Sequence, residues 1–202
     1  MKFIEKYNHS KNIRFSLFKK TLEISIKRKH KVIVETGTSR GKQKLFFFKR
    51  FNWKDGMSTI MLSEYAKFIN GKLHSCDISE DNIINAKSFT KKFSNNVEFY
   101  IEDSVLFLKN FNQKIDLLYL DSFDGHDIEL ASKHQLKEAE MAINKLKEDS
   151  IVLLDDKGAK TLYSSDFFIA NGFKVLAESD NQLLLSKKRT ALKCCKQGTA
   201  LK

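Results

Sequence analysis

The sequence predicts an α/β fold: a seven-stranded, mostly parallel sheet with an antiparallel last strand and helices on both faces. Short β-branched runs alternate with helical stretches from about residue 30 onward. Strands separated by helices pair in parallel and are covered on both sides. The last two strand-like runs, 173–178 and 182–186, are joined by three residues only. That link permits a hairpin but no parallel crossover, so the seventh strand turns back.

Taken in order, Ile13, Phe15, Phe18, Leu22 and Ile26 recur at three- and four-residue spacing within 12–29, the pattern of an amphipathic helix with a basic outer face. Strands are then expected at 32–35, 72–77, 97–101, 115–121, 150–155, 173–178 and 182–186. Helices are expected at 58–69, 80–93, 104–110, 130–147 and 160–171. The chain so divides into a basic N-terminal helix (1–30), one α/β domain (31–186) and a basic tail (187–202). The tail has no core-like periodicity and reads as a disordered end.

The length of 202 residues suits one domain. A net charge of +11 suggests nucleic acid until it is divided. Residues 1–33 carry +8 and residues 187–202 carry +6, which leaves 34–186 at −3. A nucleic-acid enzyme more often carries its basic stripe around the active site, so nucleic acid is not the expected substrate. No apolar run approaches the ~20 residues of a membrane span. The three cysteines, Cys76, Cys194 and Cys195, form no zinc pair and no disulfide framework, which makes the cytoplasm the expected compartment.

In an open α/β sheet, ligands bind beyond the carboxyl ends of the strands, where strand order reverses. Those ends read Glu35-Thr-Gly37-Thr38-Ser-Arg-Gly41, Cys76-Asp77-Ile78-Ser79, Leu120-Asp121-Ser-Phe-Asp124-Gly-His126 and Leu154-Asp155-Asp156-Lys157. Gly37 lets backbone approach a ligand, or simply makes a turn. Asp77 has the right place to take both hydroxyls of a ribose, although an Asp there can also cap the next helix.

The segments Val34-Glu-Thr-Gly-Thr-Ser-Arg-Gly41, Asp55-Gly-Met-Ser58-Thr59 and His74-Ser-Cys-Asp77-Ile78-Ser resemble the class I S-adenosylmethionine-dependent methyltransferases, which share a Rossmann-like sheet. The resemblance covers roughly 31–186. It implies that Glu35 and Gly37 line the methionine and ribose side of the cofactor and that Asp77 holds the ribose. It further implies cofactor contacts at Thr38, Ser58, Ile78 and Asp121, and at Asp103 and Ser104 near the adenine amine. The chain departs from that pattern in residues 42–55, where an insertion with Phe46, Phe47, Phe48 and Trp53 precedes the next helix. Those aromatics read either as a lid over a substrate or as packing against the sheet edge or a subunit partner. Without a single proline, the chain lacks the Pro-Pro loop of adenine amino-methyltransferases and the Pro-Cys nucleophile of cytosine-C5 enzymes.

Asp121, Asp155 and Asp156 would repel one another unless a cation sits among them, and oxygen-only ligands suit a hard ion such as Mg²⁺. This set is similar to that of metal-dependent, catechol-type O-methyltransferases, in which the metal lowers the pKa of the acceptor hydroxyl. The alternative leaves Asp121 as a partner of the cofactor's ammonium and makes Asp155-Asp156 the start of a turn. With Asp121, His134 and His126 are the candidate catalytic residues.

The expected activity is methyl transfer from S-adenosylmethionine to a hydroxyl of a small molecule or sugar, with Mg²⁺ or another divalent cation assisting. Relatives of this fold pair through peripheral elements such as the N-terminal helix, so the resemblance implies a homodimer. The competing expectation is a catalytically silent Rossmann-like module that binds nucleic acid or an anionic surface through its basic ends.

Overall fold

The computed structural model describes residues 2–45, 48–53, 56–124 and 127–187. Its main sheet holds seven strands: β1 (Val32–Thr36), β4 (Lys72–Asp77), β5 (Val97–Ile101), β6 (Ile115–Leu120), β7 (Leu146–Asp155), β8 (Phe173–Glu178) and β9 (Gln182–Lys187). The spatial order is β5-β4-β1-β6-β7-β9-β8. Counted along this sheet alone, that is 3-2-1-4-5-7-6. The first five strands pair in parallel, and β9 runs antiparallel to both β7 and β8. The predicted fold class is therefore the observed one.

Alternate side chains of the central strands enter two separate cores, as the two-residue period of a strand requires. Leu117 and Tyr119 of β6, with Ile151 and Leu153 of β7, join the first core. Helices α1 (Phe15–Lys27) and α2 (Ser58–Phe68) cover it with Phe18, Leu22, Met61, Leu62 and Tyr65. Leu118, Leu120, Val152 and Leu154 point the other way, onto Phe107 of α4 (Ser104–Asn110), Ala139 of α5 (Ile128–Ala142) and Phe168 of α6 (Ser164–Ala170). Helix α3 (Glu80–Thr90) follows β4, its N-terminus capped by Ser79.

Several boundaries differ from the sequence expectation, each for a physical reason. Helix α1 buries Leu17 along with Phe15, Phe18 and Leu22, while Ile13 precedes the helix and is exposed. Helix α5 stops at Ala142, and β7 begins at Leu146, which pairs with Ile115 before a bulge. At that bulge the Ser150 hydroxyl donates to the Ile115 carbonyl at 2.6 Å and accepts from the Lys147 amide at 2.7 Å, satisfying backbone that the irregular register leaves unpaired. Helix α6 starts at Ser164 because the chain first makes a turn, with Asp156 at φ 50° and Gly158 at φ 85°.

The insertion contributes a two-stranded antiparallel hairpin, β2 (Lys42–Leu45) and β3 (Phe48–Phe51), that the sequence reading left without elements. Beyond it, Trp53 packs against Tyr7 and His9, at centroid distances of 5.7 and 4.7 Å. The Phe51 ring meets Phe89 of α3 edge-on at 5.8 Å. Trp53 thus packs on the N-terminal segment rather than on the sheet edge. Phe46 and Phe47 lie outside the described residues, as do His126, Cys194, Cys195 and the tail from residue 188.

The N-terminal segment is continuous with the first core. A 3₁₀ turn, Lys2–Tyr7, buries Ile4 and Tyr7, and the Tyr7 hydroxyl donates to Glu64 of α2 at 2.5 Å. No helix among the described residues is long and apolar enough to cross a membrane.

Candidate active site

Strand order reverses between β1 and β6, and a crevice opens at the carboxyl end of the sheet there. Their tips are tied by backbone: the Gly37 amide donates to the Cys76 carbonyl at 2.9 Å, and the Asp121 amide to the Thr36 carbonyl at 3.0 Å. Gly37 adopts φ 81°, and a Cβ there would lie 2.3 Å from the Asp121 carbonyl oxygen. Both conditions admit only glycine. The crevice is a cleft of about 860 Å³ at the carboxyl ends of β1, β4, β5, β6 and β7.

Most of the predicted cofactor residues line it: Gly37, Thr38, Asp77, Ile78, Asp103, Ser104 and Asp121. Asp77 is held rigidly. Its Oδ2 accepts from the Thr38 amide at 3.0 Å and from Asn82 at 3.1 Å, and its Oδ1 accepts from the Ser79 amide at 2.8 Å. The carboxylate therefore joins the β1 loop to the start of α3 while its edge faces the cleft. Asp103 caps α4, accepting from the Val105 and Leu106 amides at 3.0 Å each. Its Oδ1 is spent on the helix.

Glu35 and Ser58 are placed differently. Neither lines the cleft; both are buried beneath the β1 loop. Thr59 and Ser75 donate to Glu35 Oε2 at 2.9 and 2.5 Å, and burial pushes the Glu35 carboxyl up to about 7. Ser58 Oγ lies 3.1 Å from Ser39 Oγ, which in turn accepts from the Thr59 amide at 3.0 Å. These residues support the loop from below. Cys76 is buried too, and burial pushes its thiol up, away from nucleophilic use.

The three carboxylates converge as predicted. Asp121, Asp155 and Asp156 each offer an oxygen within 4.8 Å of the others. The cations among them are supplied by the chain. Arg14 Nε, from just before α1, lies 2.9 and 2.8 Å from the two oxygens of Asp155, and its Nη2 is 2.9 Å from Asp156 Oδ1. Lys160 Nζ bridges Asp121 Oδ1 at 2.9 Å and Asp156 Oδ2 at 3.0 Å. Gln182 donates a further bond to Asp155 Oδ1 at 2.8 Å. Burial and the neighbouring Asp121 push the Asp155 carboxyl up, and Arg14 pulls it back down. Lys160 is held well above the usual ammonium range by Asp121 and Asp156, against its own burial. A divalent cation bonded to these oxygens would lie near Lys160. The oxygens of all three already accept from Arg14, Lys160, Gln182 and the Tyr119 hydroxyl. The residues present therefore do not fit a divalent metal with Lys160 in place.

His134, on the first turns of α5, completes the cleft wall and stacks on Phe123 at a centroid distance of 5.2 Å. Its Nε2 is 2.9 Å from Ser104 Oγ. Ser104 donates to Ser122 at 3.3 Å, and Ser122 donates to Glu138 at 2.6 Å. That order of donation assigns the hydrogen of the neutral ring to Nε2 and leaves Nδ1 with the lone pair. Burial pushes the Glu138 carboxyl up, opposed by the His134 charge.

Sequence reading missed Arg14, Lys160, Glu138 and Phe123. Two of them carried a legible signal, since Lys160 follows Asp156 and Glu138 follows His134 at the i,i+4 spacing that pairs side chains. Arg14 lies 141 residues from Asp155, and no local pattern announces it. Phe123 takes φ 63°, a backbone strain that sequence does not reveal.

A sheet of this order with an acid-lined cleft at its topological switch point defines a class I S-adenosylmethionine-dependent methyltransferase. The chain belongs to the family described as "Methyltransferase domain", which matches residues 53–157. No curated protein matches the chain. Solved structures share its fold at low identity. The O-methyltransferase from Bacillus cereus in complex with SAH is 12% identical, with 93% of this chain and 88% of that chain covered and a TM-score of 0.59. The N-methyltransferase NodS from Bradyrhizobium japonicum WM9 is 13% identical, covering 88% and 96%, at TM-score 0.58. The SAH-bound methyltransferase PaMTH1 from Podospora anserina is 15% identical, covering 83% and 76%, at TM-score 0.57.

Proposed function

We propose that this methyltransferase acts on a hydroxyl group of a small molecule or sugar and that His134 takes the hydroxyl proton. The observation that carries the reading is the hydrogen-bonded series His134–Ser104–Ser122–Glu138 at the cleft wall. S-adenosylmethionine, when bound, supplies a methyl group activated on a sulfonium. Asp77, Ile78 and Ser104 would hold its nucleoside, and the Gly37–Thr38 backbone would face its methionine part.

The roles of the chain's own residues follow from their geometry. An imidazole can gain and lose a proton near neutrality, and His134 is the one imidazole among the described residues lining the cleft. Nδ1 accepts the proton, and Glu138 Oε1, 3.9 Å from Nε2, steadies the positive charge that results. Asp121 is engaged elsewhere, since Lys160 and the Tyr119 hydroxyl each donate to one of its oxygens. Its carboxylate serves as a fixed negative charge beside the cleft. No step of this reading passes through a metal.

The basic-ends alternative is weakened by where the N-terminal charges go. Lys6 pairs with Glu64 and Lys19 with Glu5, Arg14 holds the carboxylates, and Arg28 donates to the Asp149 carbonyl and to Ser186. Arg14 is paired within the domain, whereas the Lys6 and Lys19 pairs lie at the surface.

Two measurements test the proposal. Calorimetric titration with S-adenosylhomocysteine is expected to show binding that changes little in His134→Ala. Transfer of a labelled methyl group to a panel of sugars and phenols is expected to fall by about 100-fold or more in that variant. Full activity in His134→Ala would remove the histidine from the chemistry, an acceptor found only among amines would overturn the hydroxyl assignment, and one found only among nucleic acids would overturn the small-molecule assignment.

A further inference from the structure

We infer that the side-chain ammonium of Lys160 occupies the cation seat of this site, so that the chain itself supplies the partners of the three strand-end carboxylates and leaves no place for a divalent metal. Lys160 Nζ sits between Asp121 and Asp156 at 2.9 and 3.0 Å, with its side chain 4% exposed. It reaches that point because the backbone is folded to bring it there. Asp156 and Gly158 take positive φ, and the Ala159 and Lys160 amides both donate to the Asp156 carbonyl at 3.0 Å. This tight turn returns the chain over the end of β7 four residues after Asp156. An exposed lysine would gain little from such a pair, whereas a buried one persists only where carboxylates surround it.

The rest of the cluster is closed in the same way. Arg14 spans Asp155 and Asp156 from the opposite side, and Gln182 of β9 fixes Asp155. Oxygens that could serve as ligands to an ion are thereby engaged as acceptors for the chain's own donors. The inference rests on this charge pairing alone and holds whichever acceptor the enzyme uses.

Manganese titration of the full chain, followed by electron paramagnetic resonance, tests it without any assay of turnover. Wild-type protein is expected to show no saturable Mn²⁺ binding below about 1 mM, the weak end of carboxylate sites. Lys160→Met is expected to bind Mn²⁺ at least about tenfold more tightly, and Lys160→Met/Asp156→Asn to lose that gain. Saturable binding by wild type that disappears in Asp156→Asn would overturn the inference. So would a folded Lys160→Met that gains no binding, because the seat would then not be a cation seat. If Lys160→Met does not fold, Lys160→Gln takes its place, and the wild-type titration alone retains the power to refute. Parallel titration with S-adenosylhomocysteine, with and without EDTA, reads the cofactor cleft separately, so a failure there is not mistaken for a failure of the seat.

Discussion

Glu35 is fully buried beneath the β1 loop, where Thr59 and Ser75 donate to one of its oxygens. Its carboxyl is raised from 4.5 to about 7 by burial, so the folded state holds its proton to higher pH than the unfolded chain does. A raised acid makes stability fall as pH rises from the unfolded value through the folded one, and level off above it. Between about pH 4.5 and 7 this residue should cost up to about 3 kcal/mol. Glu35→Gln keeps the hydrogen-bonding shape without the charge, so the wild-type disadvantage relative to the variant should grow across that window. Urea unfolding at pH 5 and pH 8 measures it, and a difference independent of pH would show that Glu35 does not titrate with folding. At this scale the sequence marked the right positions more reliably than the right roles. Asp77, Asp121, Asp155 and Asp156 are where the strand-end argument put them, because strand termini follow from hydrophobic patterning. What each carboxylate touches depends on chain brought from far away, as Arg14 is.

Between elements, the contact that shapes the cleft is the β1 loop lying directly on the β6 loop. Gly37 permits it, with a Cβ position 2.3 Å from the Asp121 carbonyl oxygen and 2.8 Å from the Ser122 amide nitrogen. Backbone atoms on both sides cannot swing aside as a side chain would. Gly37→Ala should therefore destabilise the protein by about 1–3 kcal/mol and displace the Asp121 and Ser122 segment that carries the site. Thermal unfolding gives the first effect, and loss of S-adenosylhomocysteine affinity the second. An alanine variant that matches wild type in both would mean that the loops are free to separate. The order of elements was readable because periodicity records which faces are buried. The hairpin β2–β3, the early start of β7 and the late start of α6 were not, since each is set by bulge or turn geometry. The turn before α6 is the telling case: residues 160–163 read as helix in the sequence, whereas the chain turns there and brings Lys160 onto the carboxylates.

Across the whole molecule, the uneven charge takes on a different meaning once the chain is folded. The sequence shows a basic N-terminus beside a slightly acidic domain, and the two halves complement each other within one body. Residues 2–14 bury Ile4 and Tyr7 in the first core and bring Arg14 to Asp155. Burial of two such side chains contributes about 1.5–3 kcal/mol each. Taking Arg14 from a fully buried Asp155 leaves an uncompensated charge, at a cost of about 3–5 kcal/mol. Removal of residues 1–14 should accordingly cost at least about 6 kcal/mol, and at about 2 °C or more per kcal/mol the melting temperature should drop by more than about 12 °C. The loss should grow with pH, because burial and Asp121 push the Asp155 carboxyl up to about 8, so that it is protonated in acid, where it needs no partner, and ionises as pH rises through that value. Scanning calorimetry of the full and shortened chains at pH 5 and pH 8.5 would show both the drop and its pH dependence. A shortened chain that melts with the full one would return the N-terminus to the status of an appended basic arm, and the reading of its charges as internal ties would fall with it.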